Sequence, residues 1–190
     1  HGLKAIDISF NEINGGSAEV IVSKKRSRHK VNELKISKVL EEERLINESS
    51  YKKFNDRIDN VKKVVQFFLK KNTKKIVGYG ASTKGNIVLN LCGIDSRYLP
   101  KICDANPEKY DLLTPGTNIT IISKEEMRIE SPDYLIVFIW HFRKEVLKDE
   151  YEYIMNGGQM IFILPRLHTV NKNNYQRYMS SDFDELSYLI

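Results

Sequence analysis

Hydrophobic positions follow two regimes along this chain, and the change falls near Lys75. Before it, Leu3, Ile6, Ile8 and Phe10 are apolar in near alternation, Asn14-Gly15-Gly16-Ser17 interrupts, and Ala18 to Val22 alternates again. Alternation on both sides of an Asn-Gly turn predicts a β-hairpin, because both turn residues tolerate positive φ. A two-stranded hairpin is marginal in water, so this one needs a surface to lean on. A basic connection, KKRSRHK, leads to a segment of helical composition from Val31 to about Asn47, with Leu34, Val39, Leu40, Leu45 and Ile46 as an imperfect stripe. A second helix is clearer. Tyr51, Phe54, Ile58, Val61, Val64, Val65, Phe68 and Leu69 recur at steps of three and four, Ser49 or Ser50 can cap the start, and Lys70-Lys71-Asn72 suits the end.

After Lys75, short apolar runs alternate with helical segments. Ile76 to Tyr79, Leu99 to Cys103, Ile119 to Ile122, Tyr134 to Ile139 and Met160 to Leu164 read as strands, with helices over Lys84 to Cys92 and Arg143 to Met155. Parallel neighbours need crossover connections, so this order predicts an α/β fold: a Rossmann-like parallel sheet with flanking helices, preceded by two helices and the N-terminal β-hairpin. From Asn171 the sequence is polar and rich in Asn, Tyr and Ser, which reads as a surface-bound or frayed tail, with Phe183, Leu186 and Leu189 able to dock. The divisions expected are 1–23 hairpin, 24–74 basic linker and two helices, 75–170 Rossmann-like domain and 171–190 tail.

Composition adds limits. At 190 residues, 41% apolar and 29% charged, the chain is one globular domain or one domain with an appendage. No apolar run reaches the ~18 residues of a membrane helix, the start lacks a signal-peptide pattern, and a cytoplasmic place is expected. Cys92 and Cys103 lack metal-ligand spacing and read as buried thiols. Residues 24–75 carry 17 basic and 7 acidic side chains, whereas the remainder is acidic by 5. The basic charges interleave with Glu and apolar residues at helical spacing, as on a solvated helix face, and no nucleic-acid module is recognisable.

Candidate chemistry gathers at strand ends. The first strand of the second regime runs into GYGASTKGN, residues 78–86, and then a helix. Such a turn lets backbone N–H groups and the positive helix end face an anion. Gly78 and Gly80 would permit the tight turn and Gly85 a close approach. Ala81 lies within the turn, while Ser82, Thr83, Lys84 and Asn86 add polar and cationic groups. The spacing is neither G-x-G-x-x-G nor a P-loop, and a turn needed only for packing is the alternative. Asp104, 24 residues after Gly80, stands where a carboxylate binds a ribose hydroxyl in nucleotide-binding folds, or where Asp-x-Asn-Pro starts a turn. Trp140 and His141 follow the YLIVFI strand and face the crevice expected at its carboxyl end; a positioned cap residue is the other reading of His141. Arg166 is a weaker phosphate candidate on the same edge, and His1, His29 and His168 have no evident partners.

GYGASTKGN, CDANPEKYDLLTPGTNITI, SPDYLIVFIWHFRKEV and Gly157-Gly158, in that order, resemble the C-terminal domain of bacterial nucleotide-sugar C-methyltransferases over roughly Val31 to Arg166. GLKAIDISFNEINGGSAEVIV is similar to the last two strands of that family's methyltransferase domain. The resemblance implies a companion S-adenosylmethionine domain and a zinc-binding region elsewhere, with neither cofactor bound by this chain. It implies that Gly80 to Asn86 cradle a nucleotide-sugar diphosphate while Asp104, Trp140 and His141 line the crevice. It also implies a reaction in which a base removes a proton beside the sugar's keto group and the enolate attacks a sulfonium methyl. On this view the chain positions substrate and holds no catalytic residue, metal, nucleic acid or membrane. A nicotinamide- or coenzyme-A-binding module and a noncatalytic interaction domain are the alternatives.

Overall fold

A computed structural model describes residues 1–11 and 13–181, which divide into two compact units between Arg57 and Ile58. In the first, β1 (Leu3–Asn11) and β2 (Ser17–Lys24) pair antiparallel, with a bulge between Ala5 and Asp7. The reversal is the expected one: Asn14 and Gly15 both take positive φ. Helix α1 (Glu33–Arg44) begins at Asn32, whose side chain accepts the Lys35 N–H. The same residue ties the helix to the hairpin, its N–H donating to the Ile6 carbonyl at 2.8 Å. Among the described residues of this unit none is buried, and Phe10, Ile13, Leu34 and Leu45 are all well exposed.

Helix α2 (Glu48–Lys71) starts at Asn47 rather than at either serine. Asn47 Oδ1 accepts the Ser50 N–H and Ser50 Oγ accepts the Asn47 N–H, so Ser50 completes a reciprocal cap from inside the first turn. The part of α2 from Ile58 onward belongs to the second unit, where Val65 and Leu69 are buried in the core.

The second unit is a six-stranded sheet. β3 (Ile76–Tyr79), β4 (Lys101–Cys103), β5 (Thr120–Ile122), β6 (Tyr134–Val137) and β7 (Gln159–Phe162) are parallel, and β8 (His168–Val170) is antiparallel at the edge beside β7. The strand order is β5-β4-β3-β6-β7-β8. The chain therefore steps one way from β3 to β5 and then returns to β6 on the other side of β3. Helices α3 (Thr83–Cys92), α4 (Lys124–Glu130), α5 (Arg143–Asp149), α6 (Tyr151–Met155) and α7 (Tyr175–Ser180) complete it. Two apolar clusters form, one around Leu89, Ile102 and Ile136 and one around Tyr79, Val137 and Phe162.

Four expectations change. β8 is an antiparallel addition to the parallel sheet. α4, absent from the periodicity, is capped by Ser123, which accepts the Glu126 N–H. The single helix expected over 143–155 breaks at Glu150, whose backbone departs from helical angles. Its carboxylate is buried and accepts hydrogen bonds from the Tyr79 hydroxyl at 2.9 Å and the Arg128 guanidinium at 2.7 and 3.1 Å. The polar tail contains α7, with Tyr175 and Tyr178 buried, whereas Phe183, Leu186 and Leu189 lie outside the described residues.

Arg128→Ala strips the cation from a carboxylate that is 1% exposed. With the guanidinium itself 44% exposed, the loss belongs at the lower end for buried pairs, about 2–3 kcal/mol in denaturant unfolding.

His168 is stacked between Phe162 and Tyr178 at 5.2 and 5.1 Å, with Nδ1 2.8 Å from the Arg166 carbonyl. Burial, opposed by that hydrogen bond and reinforced by the nearby Arg143 charge, holds its pKa below the ordinary 6.5. The unfolded chain then takes up the proton more readily than the folded one. Stability is complete above about pH 6.5 and falls as the pH drops through that value. His141, also held low, adds to the same slope. Calorimetric melting from about pH 7.5 to about pH 5 should show Tm falling, and His168→Phe should flatten the slope.

Candidate functional site

The strand order reverses between β3 and β6, and open α/β sheets bind ligands in the crevice at the carboxyl ends of two such strands. Both segments that leave these strands carry predicted site residues. After β3, Gly80 has φ +93°, and a Cβ there would lie 2.6 Å from Ile139 Cγ2. A Cβ on Gly85 would lie 2.9 Å from Phe138 Cβ and 3.0 Å from the Gly80 carbonyl oxygen. Gly78 is inside β3 rather than in the turn, and its missing side chain makes room for Ile102 on β4. The glycines thus let the turn after β3 press against the segment after β6.

Helix α3 opens at this turn. Ser82 is its N-cap, Oγ accepting the Gly85 N–H at 3.0 Å, which leaves the hydroxyl hydrogen able to donate. Thr83 and Lys84 supply the first two helical N–H groups, which have no intrahelical acceptor, and both side chains are exposed. The positive end of α3 therefore faces the crevice edge. Asn86, in the same first turn, has a buried Oδ1 with no hydrogen-bond partner among the described residues.

Across the crevice Trp140, His141 and Phe142 form a 3-10 turn between β6 and α5. The Trp140 ring meets the His141 ring edge-on at 5.4 Å. His141 Nδ1, like Asn86 Oδ1, is buried without a hydrogen-bond partner among the described residues. Partial burial, together with the positive charge of Lys84, lowers the His141 pKa and keeps the imidazole neutral at pH 7. Lys84 is therefore near enough for its charge to be felt at His141.

Asp104, after β4, is on the far side of β3 from His141 and is already engaged. Its Oδ1 accepts the Asn106 N–H at 2.9 Å, and the Lys109 ammonium lies 3.3 and 3.2 Å from its two oxygens. Lys109 also donates to the Ala81 carbonyl at 3.1 Å, linking the β4 end to the turn after β3. Nothing in the sequence pattern singled out Lys109, since a lysine in a turn ordinarily reads as solvated. Arg166 is exposed in the loop between β7 and β8, and His29 is exposed in the first unit. Cys92 and Cys103 are free and buried, with burial pushing the Cys103 thiol up to about 12. Among the described residues no group of three His, Cys, Asp or Glu could hold a metal ion, and no helix is long and apolar enough to cross a membrane. A cleft of about 730 Å³, lined by Arg128, Asp133, Tyr153 and Gly158, lies at the amino ends of β6 and β7, away from this crevice.

The profile of the family described as "C-methyltransferase C-terminal domain" matches residues 12–165. The chain belongs to that family. A curated relative, C-methyltransferase NovU of Streptomyces niveus, is 29% identical over 177 residues. The match covers 90% of this chain but only 42% of the relative. Within the C-methyltransferase C-terminal domain, as seen in this member, the matched stretch contains the glycine turn, Asp104, Lys109, Trp140 and His141.

Gly80→Ala places a side chain in strained backbone and into Ile139. About 1–3 kcal/mol of stability should be lost. Denaturant unfolding measures it, and a stability equal to that of the unaltered chain would mean the two segments are less closely packed than described.

Proposed function

We propose that this chain is the substrate-positioning domain of an S-adenosylmethionine-dependent sugar C-methyltransferase, and that its crevice holds a nucleoside-diphosphate deoxyketosugar during methylation at carbon. The observation that carries this reading is the amino end of α3 at the β3/β6 switch point. There, the first turn of α3 and the Lys84 cation stand at the same sheet edge as Asn86 and His141, whose Oδ1 and Nδ1 are buried with no hydrogen-bond partner among the described residues. An amide-lined helix end with a cation suits a diphosphate. Membership of the C-methyltransferase family supports a sugar nucleotide as the bearer of that diphosphate.

The donor implied by this reading does not suit the described site. In this type of fold a carboxylate after the second strand commonly holds a ribose diol, and here that group, Asp104, already serves the turn through Asn106 and Lys109. The same contact weighs against a nicotinamide dinucleotide. We assign no step through S-adenosylmethionine to these residues; donor, base and any zinc belong to a companion domain. Carbanion methylation requires donor, base and sugar in near-attack geometry, and this chain's share is to hold the sugar still. A neutral His141 can donate or accept a hydrogen bond to sugar or phosphate without bringing in a charge.

Calorimetric titration should show a deoxynucleoside-diphosphate sugar binding to the chain. Thermal shifts should rise with that ligand and stay flat with NAD, coenzyme A or S-adenosylmethionine. Lys84→Ala should weaken nucleotide-sugar binding by about 1.5–3 kcal/mol, the range for a charge-assisted contact. By itself the chain should transfer no methyl group. No heat at high ligand concentration, or measurable methylation, would overturn the corresponding half of the proposal.

A further inference from the structure

Lys109 occupies an unusual place in this site. Its ammonium has three hydrogens, and three oxygens lie within reach: both carboxylate oxygens of Asp104 and the carbonyl of Ala81. The residue stands at the end of a 3-10 turn, Pro107–Lys109, whose start is fixed by Asn106 capping the Glu108 N–H. Asp104 in turn holds the Asn106 N–H. The lysine therefore projects from a small braced unit, and its charge lies between the β4 end and the turn from Gly80 to Ser82. The Asp104 side chain is 12% exposed, so its negative charge is poorly screened by water.

Ala81 is the residue before the N-cap of α3. An uncompensated carboxylate and an unneutralised carbonyl beside the helix end would both oppose an anion arriving there. We propose that Lys109 is a positioning residue for the anion seat: it acts through Asp104 and Ala81, cancelling the carboxylate's charge and holding the Ala81 carbonyl, so that a diphosphate meets a net positive turn. This rests on the diphosphate reading of the same turn. It also makes Asp104 a turn-holding partner of Lys109 rather than an acceptor for ligand hydroxyls.

A charge-canceller and a purely mechanical brace predict opposite outcomes in a double substitution. Lys109→Met leaves Asp104 uncompensated and should weaken binding of a nucleoside-diphosphate sugar and of inorganic pyrophosphate by roughly tenfold. That is the size expected for a unit charge several ångströms from the ligand at a protein surface. Adding Asp104→Asn, which keeps an acceptor for the Asn106 N–H, should return binding to within about threefold of the unaltered chain by the same argument. Lys109→Arg should retain most of the affinity. Titrations at low ionic strength, with melting temperatures recorded for each variant, read all of these. Unchanged affinity in Lys109→Met, or a double variant as weak as the single one, would overturn the proposal. Pyrophosphate separates the two readings. An unaltered chain that binds pyrophosphate but no nucleotide sugar fails the sugar reading while the lysine test still stands, and one that binds neither fails both.

Discussion

The close approach of two backbone segments, one leaving β3 and one leaving β6, is the constraint on which the site depends. Gly80 and Gly85 face Ile139 and Phe138 at distances that admit no side chain. This packing fixes the turn from which α3 starts, with Ser82 as its N-cap. It also explains why the glycine spacing departs from the dinucleotide fingerprint. These glycines answer to the side chains of Phe138 and Ile139 in the segment after β6. Packing alone is enough to require glycine at 80 and 85, so the case for a ligand rests on the helix end and on the unpartnered atoms of Asn86 and His141.

Tyr79, the last residue of β3, supports the turn from the opposite face. Its hydroxyl donates to Glu150, Arg128 closes on the same carboxylate, and the Lys124 ammonium lies 5.1 Å from the ring centre. A buried carboxylate with three well-placed donors is fully satisfied, so the network is rigid rather than strained. It also accounts for the break between α5 and α6. The helix gives up its continuity at Glu150 in order to send that side chain inward. Residues from β3, α4 and the α5–α6 junction are therefore fixed to one another immediately behind the glycine turn.

Much of this was legible in the sequence, for identifiable reasons. β3, β6 and β7 are buried on both faces, and their unbroken apolar runs announce them. The hairpin turn and the start of α3 follow from residues with narrow conformational roles. What escaped detection involved polar residues turned inward. Glu150 reads as a solvated position in a helical period, so no pattern search marks the break there. β8 is three residues long with a threonine at its centre, too short for alternation to be visible. α4 buries only Met127, although Ser123 and Glu126 stand at capping-box spacing and offered a usable signal. Lys109 could not have been found, because its meaning lies in a carbonyl 28 residues away.

The first unit presents the complementary problem, since there the sequence pattern is satisfied and the structure is not. Its strands alternate and its helix is capped, yet no described residue is buried, and Val20, Ile21 and Val22 are all about half exposed. Two strands offer too little surface to shelter one another, which is why isolated hairpins are marginal. What holds α1 against the hairpin is polar: Asn32 bonds to Ile6 and Asp7, and Lys35 pairs with Asp7 at 3.2 Å. Exposed ion pairs contribute little, about 0–1 kcal/mol. Specific polar contacts can fix the register of a helix on a hairpin, but they cannot replace the apolar burial that stabilises a fold. The second unit has such a core, with Ile102, Leu135 and Phe162 fully buried, and the proposed anion seat is built on that unit, where the backbone can be held in place.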